Sequence, residues 1–255
     1  MIRRLLTSTL TMTAVAATLV AGAAQAQTDS TKAGVRSGTS IPDTTVRKGN
    51  LFSAVSFADS ALGAEWSRLR AEAQARYPDL EMTNQEDLHI TVVYIGRDWK
   101  PEDLDRIRAR ALVVPAVPVR MTPEVVPLGH NNQVVVVELH GASSVWADSV
   151  VVAKDALNRL GLKRPESYDT NFRTHITLAQ ARHSPPTPAD STELAGFLSW
   201  MRSKVAESPD KFAVTIGPTT QVQLLLAGAT RPQGPPQYIT VEDFLKQHAP
   251  TPPTK

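Results

Sequence analysis

Two short segments of the chain are almost wholly apolar but carry the same pair of polar residues. Residues 88–96 read LHITVVYIG, and residues 173–182 read RTHITLAQAR. Both patterns predict a buried β-strand, and in both a histidine and a threonine stand two positions apart. Because side chains two positions apart lie on the same side of a strand, the imidazole and the hydroxyl are predicted to share one face of the sheet.

We call these segments the HIT strands. The first carries His89 and Thr91, and the second carries His175 and Thr177. The polar face of the first HIT strand is predicted to continue at Val93, and its core face to consist of three alternate apolar residues, Ile90, Val92 and Tyr94. A single His-x-Thr more often marks a hydrogen-bonded histidine near a strand end. Two copies in a chain with six histidines indicate a shared function.

The same order of elements surrounds each HIT strand. In the first half, order is predicted to begin near Leu51 with a long helix that ends at Pro78. Its apolar stripe recurs at steps of three and four and comprises Val55, Ala58, Leu62, Trp66, Leu69, Ala73 and Tyr77. After the first HIT strand, Pro101 opens a short helix, and two apolar strands follow at about 117–126 and 133–139.

The second half repeats this order with little sequence identity outside the motif. Ser143 is predicted to cap a helix that precedes the second HIT strand. A further helix starts at Thr187-Pro188, and two strands follow near 211–216 and 221–227. Each half therefore reads helix, HIT strand, helix, strand, strand.

A repeat of this kind predicts an α+β fold of two lobes. We expect a bilobal arrangement of duplicated α-β-α-β-β units, related by a pseudo-two-fold axis, with a central cleft between two antiparallel sheets. The predicted domain spans 51–228, with lobes of about 51–140 and 141–228. The proline-rich tail, 229–255, is predicted to hold one strand or short helix at 238–246.

The N-terminal segment has the pattern of a secretory signal peptide. In residues 1–26, Arg3 and Arg4 precede an apolar stretch that ends in a small-residue cleavage site after Ala26. The polar residues 27–50 lack periodicity and are predicted to form a flexible linker. We therefore expect a secreted or periplasmic protein without a membrane association after cleavage; a retained membrane anchor is the alternative.

Composition narrows the possible functions. The chain contains no cysteine, so disulfides, thiolate metal sites and cysteine nucleophiles are excluded. It has 27 basic and 25 acidic residues, and loss of Arg3 and Arg4 with the signal peptide leaves 25 of each. Such a balance disfavours stable binding of duplex nucleic acid, which depends on neutralising many phosphates. We expect a monomer.

Two imidazoles and two hydroxyls in one cleft suit a particular chemistry. One neutral histidine can take a proton from an attacking water, while the other, protonated, donates a proton to the leaving oxygen. The threonine hydroxyls can donate hydrogen bonds to the non-bridging oxygens of a phosphate. The pattern therefore favours in-line cleavage of a phosphodiester, with no metal or other cofactor required.

The paired motifs, in the contexts LHITVVYIG and FRTHITLA, resemble the 2H phosphoesterase superfamily, and most closely its branch of 2′-5′ RNA ligases and cyclic phosphodiesterases. The resemblance covers roughly 51–228. It implies a bilobal α+β fold and hydrolysis of 2′,3′-cyclic phosphates or related phosphodiesters in nucleotides or short RNA. By the same resemblance, His89 and His175 supply the acid and the base, and Thr91 and Thr177 hold the phosphate.

Three positions around the second motif differ from, or add to, the family pattern. Thr174 stands where a proline often precedes the histidine, and Gln180 stands where an arginine often follows the motif; Arg182 lies two positions later. Arg173 shares the strand face of His175 and is a candidate for binding an anionic substrate, although a solvated arginine at the strand end is an equal alternative.

Two other functions remain open at this point. A secreted protein could bind nucleotides or RNA ends without turnover, although it would have no need of both imidazoles. A histidine-dependent metallohydrolase is the other alternative, although neither HExxH nor a cluster of histidines and carboxylates accompanies the HIT strands. The sequence does not assign the acid and base roles to particular histidines.

Overall fold

The computed structural model describes residues 49–141, 143–227 and 238–247. Its strands, in chain order, are β1 Asn50–Ser56, β2 Leu80–Met82, β3 His89–Gly96, β4 Val119–Leu128, β5 Val134–His140, β6 His175–Ala181, β7 Val214–Ile216, β8 Val222–Ala227 and β9 Tyr238–Thr240. Its α-helices are α1 Ala61–Arg76, α2 Leu104–Ala111, α3 Ser144–Arg159, α4 Pro188–Glu207, α5 Pro209–Phe212 and α6 Val241–Gln247.

The described strands form two antiparallel sheets. The first sheet has four strands in the order β3-β1-β8-β9, and the second has five in the order β2-β6-β5-β4-β7. The HIT strands β3 and β6 therefore belong to different sheets. The prediction of an α+β fold with two antiparallel sheets is confirmed.

The repeated order of elements is present, but the two lobes are not the two halves of the chain. The first sheet combines β1 and β3 from the first half with β8 from the second. The second sheet combines β4 and β5 with β6 and β7. A boundary between 51–140 and 141–228 therefore does not divide the domain into two units with one sheet each. Strands of each half pair with strands of the other half.

The start of the domain differs from the prediction. Val55 was expected on the stripe of the first helix, but it lies in β1, which occupies the centre of the first sheet. Four of the five residues in the run LFSAV are apolar, and all five are buried, as is typical of a strand covered on both faces. Helix α1 begins only at Ala61, where the Ser60 hydroxyl accepts a hydrogen bond from the Gly63 N–H at 3.1 Å.

Two helix starts agree with their predictions. The Ser143 hydroxyl accepts a hydrogen bond from the Trp146 N–H at 3.2 Å at the start of α3. At the start of α4, the Thr187 hydroxyl accepts from the Asp190 N–H, and the Asp190 carboxylate accepts from the Thr187 N–H at 2.8 Å. This reciprocal capping satisfies two backbone donors that have no partner inside the helix.

Other element boundaries differ from the predicted ones. Residues 209–212 form α5, so the strand predicted at 211–216 is reduced to 214–216. The three-residue β2 was not predicted. The tail contains both a strand and a helix, β9 and α6, where one or the other was expected. The predicted signal peptide, the predicted linker up to residue 48, and the rest of the tail lie outside the described residues.

The main core lies between the helices and the two sheets. Helix α4 packs on β4, β5 and β6, and α3 packs on β3. Trp66 and Trp146 are almost completely buried in it, as their helical stripes predict. A second, smaller apolar cluster lies apart from this core on the first sheet and comprises Phe52, Ala54 and Leu225, with Tyr94, Ala227 and Tyr238 packed against them. Among the described helices, none combines the length and apolarity needed to cross a membrane.

Candidate active site

The HIT strands bring their polar pairs to one place. Strands β3 and β6 lie against one another. In β3, His89 and Thr91 are partly exposed, whereas the residue that follows each of them is buried. In β6, His175 and Thr177 show the same alternation. All four predicted catalytic residues therefore lie on the side of their sheet that faces away from the main core.

Each HIT strand contains the same irregularity directly after its threonine. In β1, the consecutive residues Ser53 and Ala54 pair with Val93 and Thr91, so Val92 is an extra residue in β3. In β5, Val135 and Val136 pair with Ala179 and Thr177, so Leu178 is extra in β6. Both are β-bulges, in which two residues of one strand lie opposite one residue of its partner.

The bulge in β3 changes which side chains lie on each face of the strand, compared with the prediction. Because one residue is inserted, the alternation of sides reverses after it. Val93 is fully buried, and Tyr94 is partly exposed on the side of His89. The predicted positions of Val93 on the polar face and Tyr94 on the core face are therefore wrong. The corresponding reversal in β6 places Gln180 on the side of His175.

Both imidazoles are held by the same hydrogen bond. The Nδ1 atom of His89 lies 2.8 Å from the Asp87 carbonyl oxygen, and the Nδ1 atom of His175 lies 3.0 Å from the Arg173 carbonyl oxygen. A carbonyl oxygen only accepts, so Nδ1 carries the proton in each ring. In the neutral rings the lone pair is then on Nε2, which is the nitrogen available for proton transfer.

The surroundings of the two rings lower both pKa values. Burial of the ring lowers the pKa of His89 from 6.5 to about 4; the hydrogen bond to Asp87 opposes this shift, and the charge of His175 adds to it. Burial also lowers the pKa of His175, against the hydrogen bond to the Arg173 carbonyl. The Arg173 guanidinium lowers this pKa further and the Glu138 carboxylate raises it.

The wall around His89 is aromatic. The Phe52 ring centroid lies 5.2 Å from that of His89, and the Tyr238 centroid lies 4.6 Å from it in an edge-on arrangement. Tyr94 contacts Tyr168 with centroids 6.5 Å apart. Phe52 and Tyr238 were missed in the sequence, because β1 was interpreted as part of a helix and the tail gives no periodic pattern.

The loop between α3 and β6 carries Tyr168 and is held by buried charges. The Asp169 carboxylate accepts hydrogen bonds from the Lys163 ammonium at 2.6 Å and from the Asn158 amide at 3.0 Å. The Lys154 ammonium donates to the backbone carbonyls of Tyr168 and Asn171. These contacts tie the loop to α3 and fix the position of Tyr168 beside Tyr94.

Charged side chains lie beside His175. Arg173 and Glu138 form a two-pronged ion pair with distances of 2.6 Å and 2.7 Å, and Glu138 lies opposite His175 in the β5–β6 pairing. The Arg173 guanidinium, the candidate for substrate binding, is thus already paired with a carboxylate. Arg173 also supplies the carbonyl that binds His175, so it contacts the site through its backbone.

The three other residues singled out around the second motif each form a hydrogen bond. The hydroxyl of Thr174, where a proline was expected, donates to the Leu139 carbonyl of β5, and the Thr174 carbonyl accepts from the Leu139 N–H at 2.9 Å. Gln180 donates to the Glu81 carboxylate at 2.7 Å. Arg182 donates to the Pro78 carbonyl at 3.0 Å.

Two of the other histidines, His140 and His183, contact carboxylates outside the HIT strands. The Nε2 atom of His140 lies 2.8 Å from the Glu124 carboxylate, and the Nδ1 atom of His183 lies 3.0 Å from the Asp190 carboxylate. Neither belongs to a HIT strand. Within the part of the chain that the structure describes, no group of three or more histidine and carboxylate side chains is arranged to hold a metal ion.

Three solved structures are similar to this chain at low sequence identity. Escherichia coli LigT in complex with 3′-AMP is 15% identical, with a TM-score of 0.52 over 76% of this chain and 95% of that chain. A crystal structure named only as a phosphoesterase is 14% identical, with a TM-score of 0.49 over 76% and 95%. The protein TT0787 of Thermus thermophilus is 18% identical, with a TM-score of 0.45 over 75% and 94%.

No family model matches the sequence, and no curated protein matches it. At 15% identity the comparison with LigT bears on the fold alone. The chain has the fold of E. coli LigT.

Proposed function

We propose that the protein is a phosphodiesterase that hydrolyses 2′,3′-cyclic phosphates, or related phosphodiester bonds, in nucleotides or RNA ends. One observation carries this proposal: two His-x-Thr pairs on adjacent strands of different sheets, each with its imidazole held through Nδ1. The likeness in fold to a protein solved with bound 3′-AMP supports a nucleotide as the substrate.

The reaction follows from the two free Nε2 atoms. One neutral imidazole takes a proton from water as the water oxygen attacks phosphorus. The bond from phosphorus to the leaving oxygen breaks, and the other imidazolium donates its Nε2 proton to that oxygen. The product is a phosphate monoester with one freed hydroxyl. Thr91 and Thr177 donate hydrogen bonds to the non-bridging oxygens, where negative charge is concentrated.

The different surroundings of His89 and His175 favour one assignment of the base and acid roles. The low pKa of His89, about 4, keeps its ring neutral at pH 7, as a base requires. Burial and the Arg173 guanidinium also lower the pKa of His175, but the Glu138 carboxylate opposes this shift, and an anionic phosphate bound beside the ring would oppose it further. We therefore assign His89 as the base and His175 as the acid.

The test is hydrolysis of 2′,3′-cyclic nucleotides by the mature protein, with and without a chelator such as EDTA. We expect turnover that persists in the chelator. Turnover that EDTA abolishes and a divalent ion restores would favour the metallohydrolase, and tight binding without turnover would favour the binding protein. The position of the phosphate in the product, 2′ or 3′, identifies the bond that is cleaved.

We further propose that the protein acts after export. This rests on the pattern of residues 1–26 and on the polar linker behind them. Outside the cytoplasm the substrates would be free nucleotides or RNA fragments rather than the ends of maturing RNA. Fractionation of cells that express the full chain, followed by N-terminal sequencing, is expected to place the protein outside the cytoplasmic membrane with a new N-terminus at Gln27.

A further inference from the structure

The C-terminal strand β9 contacts the first catalytic histidine directly. The Tyr238 ring lies edge-on to the His89 imidazole, with centroids 4.6 Å apart and an interplanar angle of 74°. Phe52 contacts both rings, at 5.2 Å from His89 and 5.3 Å from Tyr238. The three rings therefore contact one another, and the contacts with Phe52 and Tyr238 restrict the rotation of the imidazole.

A second contact connects β9 to the same histidine. The Tyr238 N–H donates a hydrogen bond to the Asp87 carboxylate at 3.2 Å. The carbonyl of Asp87 is the group that accepts the Nδ1 proton of His89 at 2.8 Å. Asp87 is almost fully buried, and its other carboxylate oxygen accepts from the Asn84 amide at 3.2 Å. The backbone of Tyr238 thus helps to fix the residue that orients the ring.

Strand β9 is itself well anchored. It pairs with β8 through Leu225, Leu226 and Ala227. Ile239 packs against the main core, and the helix that follows β9 buries Phe244 there. The Tyr238 ring is thus presented to His89 from a fixed element of the fold.

His175 has a different neighbourhood. Its ring is flanked by the ion pair of Arg173 and Glu138, whereas two aromatic rings contact the ring of His89. The two halves of the site therefore hold equivalent imidazoles by different means. An element outside the repeated units supplies the support on the His89 side.

We infer that Tyr238 is a positioning residue for His89, which it holds through the edge of its ring and through the hydrogen bond of its peptide N–H to Asp87. This inference rests on the proposed function. Tyr238 orients the ring and excludes water from it; it does not exchange a proton with the substrate. A base held in one orientation reacts more often in the productive geometry, because a displacement of about 1 Å is enough to slow catalysis substantially.

The titratable groups that face His89 come from three parts of the described chain. Asp87 lies two residues before His89, His175 faces His89 from β6, and Tyr238 faces it from β9. Strand β1 contributes Phe52, which has no charge. Burial and the nearby Asp87 charge raise the pKa of Tyr238 to about 12, so its phenol stays neutral. Removal of the Tyr238 ring is therefore expected to act on His89 by admitting water.

The experiment compares substitutions in β9 in the full mature chain. Tyr238→Ala removes the ring, and Tyr238→Phe keeps it. Ile239→Ala is the matched control, because it weakens the packing of the same strand on its opposite side. For each variant, the pKa of His89 is measured by NMR of the ring nitrogens, and kcat and KM are measured on a 2′,3′-cyclic nucleotide. Tyr238→Leu is a second variant should Tyr238→Ala not fold.

We expect Tyr238→Ala to raise the pKa of His89 toward its ordinary value and to lower kcat about tenfold with little change in KM. Tyr238→Phe is expected to restore both quantities to near the wild-type values. Ile239→Ala is expected to lower stability without moving the His89 pKa. An unchanged His89 pKa in folded Tyr238→Ala or Tyr238→Leu would overturn the inference, as would an equal shift in Ile239→Ala.

A failure of the proposed function can be distinguished from a failure of the inference about Tyr238. If the wild-type protein hydrolyses no cyclic nucleotide, the proposed function is contradicted. The NMR titration requires no turnover, so it would still decide whether Tyr238 orients the ring.

Discussion

Two histidines of the same motif have come to occupy different chemical surroundings. Each donates its Nδ1 proton to the carbonyl two residues earlier in the chain, so the local hydrogen bonding is equal. Aromatic rings surround His89, whereas an ion pair flanks His175. The pKa of both rings is lowered, but a carboxylate charge opposes this shift only at His175, so the proposed base and acid have different surroundings.

The assignment of base and acid predicts different responses to the leaving group. His89→Ala and His175→Ala are each expected to lower turnover of a 2′,3′-cyclic nucleotide by about a hundredfold or more. With a nucleoside p-nitrophenyl phosphate, whose leaving group needs no proton, His175→Ala is expected to recover most of its rate and His89→Ala is not. Release of p-nitrophenolate is followed by absorbance. Recovery by His89→Ala alone would reverse the assignment.

The pKa shifts also predict the pH dependence of kcat/KM. The base must be neutral, so the rate should rise with pH through about 4, the pKa of His89. The acid must be protonated, so the rate should fall through the pKa of His175, which lies below 6.5 in the free protein. The optimum is therefore expected below pH 6.5, the value near which two unshifted histidines would place it. A maximum above pH 7 would contradict these shifts.

At the scale of elements, the sequence predicts what depends on local periodicity and misses what depends on pairing. The helices from Ser144 and Pro188 were located because their caps and apolar stripes are local. The two bulges were not predicted, because the residue inserted in each strand is apolar like its neighbours and only the register with β1 or β5 reveals it. Both polar pairs were still identified, since each precedes its bulge.

The capping box of α4 offers a prediction about stability. The Thr187 hydroxyl both accepts from the Asp190 N–H and donates to the Asp190 carboxylate, whose buried side chain also contacts His183. Thr187→Ala is expected to lower the free energy of unfolding by about 1 kcal/mol. Urea denaturation followed by circular dichroism measures this change. Thr187→Ser keeps the hydroxyl and is expected to retain most of the wild-type stability.

At the scale of the whole molecule, the repeat in the sequence does not correspond to two separable units. The central strand of the first sheet, β1, pairs with β8 near the end of the domain, and β5 pairs with β6 across the middle of the chain. These pairings could not be predicted from either half alone, because neither half shows which strands of the other it will meet.

This interleaving predicts that half of the domain will not fold. A fragment of residues 51–140 lacks the partner of β1 in β8 and the partner of β5 in β6. We expect it to give an NMR spectrum of narrow amide dispersion and no cooperative thermal transition, whereas residues 51–247 should show both wide dispersion and a single transition. A folded fragment 51–140 would mean that these pairings contribute little to stability.

The position of β9 also affects solubility. The N–H of Tyr238 lies on a strand at the edge of the first sheet, and the Asp87 carboxylate accepts its hydrogen bond. Without β9, strand β8 would become the edge and would expose the backbone beside Leu225 and Leu226 to other molecules. Unpaired apolar edges invite strand addition between chains. A chain ending at residue 237 should therefore self-associate, which would be seen as light scattering that grows with protein concentration. The strand that carries the residue proposed to position His89 would then also keep the protein from aggregating.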